Sequence, residues 1–294
     1  MVETLVMSGG AVKGIALLGV IKYLEEIDVI SQISRFIGSS VGSCVCFLLN
    51  IGYKSHELIE TFVNISLDKF KEFNPDNIIN FLEVWGFDEG NRIEKTLRVF
   101  LKKKYGKDKI TLLELYNLTK KELNIMTTCI NLQTGHLFNH KTFPDVDAIT
   151  AIRASISVPV LYIPIKINGN TYVDGALISN YPIEYAENNN KKTIGIILSD
   201  QSMPAFEQII SIDGYLRNTL YSVLNSIDRG KIKKYYDITI ALSLDIGPLD
   251  FNIDKEQKIK VIESAYNQAR RQMRKKYTYL FPGLYNPMIK HISH

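Results

Sequence analysis

Cysteine is scarce and tryptophan nearly absent, with three of the first and one of the second in 294 residues. Three cysteines cannot all pair, and Cys44, Cys46 and Cys129 lack metal-ligand spacing, so neither a disulfide framework nor a zinc module is expected. Cys44 and Cys46 stand in an apolar run, where a thiol packs as a small hydrophobe, and an intracellular, reducing compartment fits this usage best. Long hydrophobic runs are also missing. The most apolar stretch, Val41 to Ile51, falls far short of a membrane span. The start carries Glu3 and no basic segment before an apolar one, so no signal peptide is expected and membrane contact, if made, is peripheral. Charge of one sign is lacking too. The 35 basic and 31 acidic residues leave +4, which gives no electrostatic case for nucleic acid. No His, Cys and carboxylate cluster has ligand spacing, so neither metal nor cofactor is expected. Linkers rich in Gly, Ser or Pro and internal repeats are absent, which favours one domain over residues 1–294.

Hydrophobic residues make up 46% and charged residues 22%, a balance that excludes disordered and collagen-like classes. Thr4 to Met7 is a short apolar run of strand type, and Ile15, Leu18, Ile21 and Leu24 recur at helical spacing up to about Asp28. Arg35 to Ile37 predicts a second strand, followed by a helix that Gly52 terminates. This βαβα opening favours a parallel sheet covered by helices, an α/β fold. From His56 to Tyr116 the pattern is mostly helical, broken at Asn74-Pro75-Asp76, with a capping box at Thr111 to Glu114. Ile125 to Ile130, Ile167 to Val173, Thr193 to Leu198 and Ile238 to Leu242 read as strands, and Asp254 to Lys276 as a long last helix. Asn188 to Lys192 reads as a solvated loop.

Three short motifs carry chemistry. Gly38-Ser39-Ser40-Val41-Gly42 places a serine on a sharp turn between a strand and a helix, with glycines allowing the backbone to fold tightly around it. The helix that follows aims its N-terminal dipole at Ser40. The competing structural reading is a plain turn in which Ser39 or Ser40 caps the helix. Ser8 to Gly14 forms a Gly-rich turn at a helix N-terminus, suited to an anion or a tetrahedral oxyanion. It matches neither a phosphate-binding G-x-x-x-x-G-K-[ST] loop nor the dinucleotide G-x-G-x-x-G pattern. Asp174-Gly175 follows a strand, and its value lies in what is missing around it. His56, His136 and His140 fall in no catalytic setting, and His291 and His294 lie at the very end.

The order Gly-Gly-Ala-x-Lys-Gly, Gly-x-Ser-x-Gly, Asp-Gly-Ala resembles the patatin-like phospholipase family, from about Val2 to about Leu198. The segment Ala154 to Pro159 is similar to the family's stretch upstream of its aspartate. The resemblance implies a three-layer α/β/α fold with a mostly parallel central sheet. The catalytic core would be about 2–198, with 199–294 packed on it. It further implies Ser40 as nucleophile, Asp174 as base, and the Gly9, Gly10 and Ala11 amides as oxyanion hole. Lys13, Gly14, Gly38, Gly42 and Gly175 are the supporting motif positions. The implied activity is a metal-independent lipid acyl hydrolase of phospholipase A or lysophospholipase type, acting on phospholipid or another acyl lipid. Ala11 replaces a glycine, which is tolerated if that residue keeps φ negative. Ser39 and Val41 replace smaller neighbours of the nucleophile. Burial beside an acyl pocket is expected to raise the Asp174 pKa toward a useful value. Two alternatives compete: a Ser-Asp-His triad drawing its histidine from the tail, and a catalytically silent lipid- or partner-binding module on the same fold. The basic cluster Arg270, Arg271, Arg274, Lys275 and Lys276, with Tyr277 to Phe281 after it, is either a solvated helix end with a packing segment or a membrane contact.

Overall fold

The computed structural model describes residues 2–70, 72, 74–199, 230–247 and 250–280. Strand β1 (Thr4–Met7) leads through a Gly-rich loop into helix α1 (Ile15–Glu26), then β2 (Arg35–Ser39), α2 (Val41–Asn50) and α3 (Ser55–Asn64). Two short helices, α4 (Pro75–Ile79) and α5 (Phe81–Val84), precede β3 (Gly86–Asp88), α6 (Asn91–Tyr105) and α7 (Leu112–Thr119). The second half adds β4 (Glu122–Cys129), β5 (Thr134–Phe138), α8 (Ala148–Ser155), β6 (Val160–Tyr162), β7 (Ile165–Ile167), β8 (Asn170–Asp174) and α9 (Ala176–Ser179). Strands β9 (Thr193–Ser199) and β10 (Thr239–Ser243) and helix α10 (Lys255–Leu280) complete the described fold.

The central sheet has the order β10-β9-β1-β2-β4-β8-β7, with β5 also on β4. From β10 to β4 every pairing is parallel, and β5, β7 and β8 add the antiparallel side. β1 and β9 are buried at every residue, as their unbroken apolar runs require in a sheet covered on both faces. Leu5, Met7 and Phe36 point into a core shared with α1, α2 and α10, while Val6, Ile37 and Ile197 meet Tyr181, Ile183 and Tyr235 on the other face. Gly19 in α1 lets α10 approach, since a Cβ there would stand 2.1 Å from the Ile262 carbonyl oxygen. The outermost strand, β10, does not leave its edge bare. Gln272 exchanges two hydrogen bonds with the main chain of Ala241, at 3.1 and 2.7 Å, and Gln268 two with Ser243, at 3.0 and 2.8 Å.

The capping box at Thr111 forms as read: the Glu114 amide donates to Thr111 Oγ1 and the Thr111 amide to the Glu114 carboxylate. Other expectations need correction. Ile167 to Val173 is not one strand but the end of β7, a two-residue turn and most of β8. Asn168 and Gly169 take φ of 50° and 78°, the mirror-image turn that an Asn-Gly pair favours. β4 starts at Glu122, three residues before the apolar run, because Ser34 and Arg35 offer it a parallel neighbour. Asn188 to Lys192 belongs to a 3-10 turn rather than an open loop. Tyr277 to Leu280 continue α10, and Phe281, His291 and His294 lie outside the described residues.

Candidate active site

The register of β4 brings the two acidic and nucleophilic motifs together. β5 occupies one edge of β4 over residues 125–129, so β2 and β8 must share the other edge. β2 runs parallel to β4 and leaves it at the pair Ser39 and Met126; β8 runs antiparallel and ends at the pair Asp174 and Thr127. Two strands thus meet tip to tip at neighbouring residues of a third. The next residue of the first is Ser40, and the last residue of the second is Asp174.

Ser40 turns out of β2 with φ 51° and ψ −128°, a conformation that L-residues rarely hold and that only a well-determined turn sustains. Its hydroxyl makes no helix cap. It donates to Asp174 Oδ2 at 2.8 Å, which removes the capping interpretation of this serine. Ser39 does not cap either; its hydroxyl is buried with no hydrogen-bond partner among the described residues. The turn is tight enough to dictate its glycines. A Cβ on Gly38 would lie 2.6 Å from the backbone of Ser43, and one on Gly42 would lie 2.5 Å from the Met7 carbonyl oxygen. At Gly175 it would meet the Met126 carbonyl oxygen at 2.2 Å, which is why an Asp-Gly pair ends β8.

Asp174 is 2% exposed. Burial pushes its carboxyl from 3.8 up to about 7, although hydrogen bonds from the Ala176 amide at 2.8 Å and from Ser40 favour the ionised form. No histidine stands between the two among the described residues. His136 Nδ1 lies 3.1 Å from the Tyr172 hydroxyl and His140 stacks on Tyr116, each committed elsewhere.

The end of α8 and the residues after it, within the Ala154 to Pro159 stretch of the resemblance, brace both partners. Ser155 Oγ accepts the Ser40 amide at 2.9 Å and donates to the Met126 carbonyl at 2.7 Å. The Ser157 carbonyl accepts the Asp174 amide at 2.9 Å. Arg153, 2% exposed, donates to Ser157 Oγ at 2.6 Å and to the main-chain oxygens of Glu89 and Ile163. The arginine in an apolar-looking helix was a second signal, since such a charge, once buried, must satisfy its donors internally.

The Gly-rich loop lies against the nucleophile. A Cβ on Gly9 would be 2.9 Å from Ser40 Cβ, and Ala11 lines the same cavity as Ser40. The Gly9 amide, however, already donates to the Asn180 carbonyl at 3.1 Å, so it is not available to an oxyanion. The amides of Gly10 and Ala11 donate to no acceptor among the described residues. Ala11 takes φ 47°, so the condition for a harmless replacement of glycine is not met. Lys13, in the same loop, is 2% exposed; burial lowers its ammonium to about 8 although Asp250 pulls the other way.

Ser40 opens into a cavity of about 470 Å³. Its walls are mostly apolar, among them Ile15, Val41, Leu48, Phe62, Phe87 and Leu97, while Asp88, Thr96, Tyr162 and Cys44 bring polar atoms to the lining besides Ser40. Among the described residues no three His, Cys, Asp or Glu side chains gather as a metal group would require.

The mostly parallel sheet covered by helices, with this serine at a strand tip over an apolar cavity, defines the class as a three-layer α/β/α fold. The chain belongs to the patatin-like phospholipase family, whose profile matches residues 5–187. It is similar to the probable lipid hydrolase 463L of Invertebrate iridescent virus 6, with 33% identity over 71% of this chain and 73% of that one. It also resembles triacylglycerol lipase 4 of Saccharomyces cerevisiae, 30% identical over 54% of this chain and 18% of the yeast protein. Among solved structures, VipD from Legionella pneumophila shares the fold with a TM-score of 0.58 at 15% identity, covering 93% of this chain and 67% of VipD. Family membership makes this a lipid hydrolase by descent, with lipid as its substrate class.

Proposed function

We propose that the protein releases fatty acid from phospholipids, as a phospholipase A or lysophospholipase, through a Ser40–Asp174 dyad and an acyl-enzyme. The observation that carries this reading is the 2.8 Å hydrogen bond from Ser40 Oγ to Asp174 at the end of an apolar cavity. A carboxyl near 7 is matched to proton transfer at neutral pH in a way that an ordinary aspartate is not. Asp174 takes the hydroxyl proton as Ser40 Oγ bonds to the ester carbonyl carbon. The oxyanion accepts the Gly10 and Ala11 amides, with Gly9 holding the loop rather than donating, and the α2 N-terminus adds its dipole. Asp174 then returns the proton to the departing alcohol. A water that gives its proton to Asp174 attacks the acyl-Ser40 ester, the proton returns to Ser40, and the fatty acid leaves.

At about 30 Å³ for a water-sized group, the cavity holds on the order of fifteen such groups, the bulk of one long acyl chain. Fatty-acid release from mixed phospholipid micelles in EDTA, wild type against Ser40→Ala, tests the proposal. Release by wild type alone, with loss of at least about a hundredfold in the variant, is expected. Equal release by both would remove Ser40 from the reaction. A wild type that neither releases fatty acid nor reacts with a fluorophosphonate at Ser40 would favour the silent binding module.

A further inference from the structure

The two most exposed large apolar side chains of the described residues stand on one short stretch, followed by a half-exposed tryptophan. Ile79 is 82% exposed, Leu82 88% and Trp85 50%, at three-residue spacing over α4 and α5. Ordinary surface leucines are normal singly; three large ones on an eleven-residue stretch are not. The stretch packs on the outside of one cavity wall through Phe87. Phe81 stacks on Phe87 at 4.9 Å between ring centroids, and Phe87 lines the cavity. Asn77 Nδ2 donates to the Phe87 carbonyl at 3.2 Å, and β3 pairs with β6, whose Leu161 lines the cavity and is itself 36% exposed.

The polar details suit one occupant. The Trp85 indole N–H donates to the Leu82 carbonyl at 2.8 Å, so the ring can enter hydrocarbon without carrying an unpaired donor. The Lys166 ammonium lies 5.7 Å from the centre of that ring, at the level where a long cationic side chain reaches back to head groups. Asp76 and Glu83 lie on the same stretch, so the patch has no cationic excess and its attraction is apolar rather than electrostatic. By contrast, Lys276 in the C-terminal basic cluster is spent on the Tyr236 and Thr239 carbonyls, at 3.0 and 2.8 Å.

We propose that Ile79, Leu82 and Trp85 form a membrane-docking surface that inserts into a zwitterionic phospholipid bilayer beside the cavity. The inference rests on the lipid-hydrolase reading above, and it moves the peripheral membrane contact from the C-terminal helix to this wall. A lipid would then pass from bilayer to Ser40 along an apolar path with Phe87 and Leu161 on its sides.

Trp85 is the single tryptophan of the chain, so its fluorescence reports this surface alone. The full chain is titrated with phosphatidylcholine vesicles, plain or carrying brominated acyl chains, at low and high salt. A blue shift with plain vesicles, quenching by bromine and indifference to salt are expected. The Ile79→Ser/Leu82→Ser variant should need at least about a hundredfold more lipid, since each buried leucine-sized side chain is worth more than a factor of ten. Its rate on a soluble short-chain ester and its fluorophosphonate labelling at Ser40 should be unchanged, which separates docking from catalysis. Vesicle binding with unshifted Trp85 emission would overturn the proposal in favour of another surface. A blue shift that grows with protein concentration without lipid would assign the patch to a second copy of the chain. No partition of wild type at all would also overturn it, whatever the outcome for Ser40. Should the variant fail to fold, bromine quenching of the wild type decides alone.

Discussion

Around Ser40 the chain is held by its main chain to distant strands, whereas from Ile79 to Trp85, beside the cavity, it is held by a ring stack and its own local turns. The Ser40 amide, the Asp174 amide and the Gly175 amide all donate into the segment Ser155 to Ser157, and three glycines admit backbone at distances no side chain permits. The outer wall is anchored by one aromatic stack and a few bonds to Phe87, and it shows solvent its largest hydrophobes. The difference separates two tasks. Chemistry needs atoms fixed to a fraction of an ångström, and a lipid surface needs apolar area whose exact placement matters little.

The sharpest way to expose the cost of that rigidity is Asp174→Asn. Loss of the base should lower the rate by about 10²- to 10⁴-fold. Stability should move the other way. The folded carboxyl titrates near 7 and the unfolded one near 3.8, so between these values the folded state keeps a proton that the unfolded state has released. Wild-type stability therefore falls as pH rises through this window and then levels off. Asparagine has no such slope, so the variant should match wild type near pH 4 and exceed it by on the order of 1–3 kcal/mol at pH 8. Urea unfolding at both pH values measures this, and equal slopes would deny that the carboxylate is buried at a cost. The same titration sets activity in the opposite sense. The ionised form is the base, so wild-type kcat/KM should rise through about pH 7 and flatten above it.

Gly42→Ala tests the floor without touching a reacting group. Its methyl would meet the Met7 and Ser8 carbonyl oxygens at 2.5 and 2.6 Å, and neither strand can give way without moving Ser40 or the Gly-rich loop. A displacement near 1 Å is worth about a hundredfold in rate, and overpacking of this kind costs about 1–3 kcal/mol. Leu82→Ser is the matching change on the outer wall. There the leucine is solvated already, and unfolding should shift by no more than about 0.5 kcal/mol. If both substitutions unfold the chain equally, the contrast between floor and wall is lost.

Much of the floor could be read from the chain because its reasons are local. Gly38, Ser40 and Gly42 announce a turn between strand and helix, and Thr4 to Met7 and Thr193 to Leu198 announce buried strands by composition alone. What escaped was set by partners distant in sequence. The Asn168-Gly169 hairpin was legible by its turn residues, but the apolar run around it imitated a single strand. Ser155 acquires its bracing position only because β4 places Met126 beside Ser39. That the Gly9 amide is spent on Asn180 is a tertiary fact, with no trace in the Gly-Gly-Ala pattern. The exposure of Ile79 and Leu82 was hidden for the opposite reason, since an apolar residue in a helical stretch is first assigned to the core.

The smallest expected effect on the floor concerns its second strained residue. Ala11 holds φ 47° where glycine would sit without penalty, and a side chain in this region costs roughly 1–2 kcal/mol. Glycine would relieve that strain but widen the unfolded ensemble, which takes back part of the gain. Ala11→Gly should therefore raise stability by about 0.5–1 kcal/mol, a shift of roughly 1–4 °C in Tm for a chain of this size. The amide proposed to meet the oxyanion is untouched, so kcat should stay within about twofold. A lower Tm would mean that the Ala11 methyl, which lines the cavity, contributes more by packing than it costs in backbone strain. In that event the loop would belong with the outer wall, held by apolar contact, rather than with the floor.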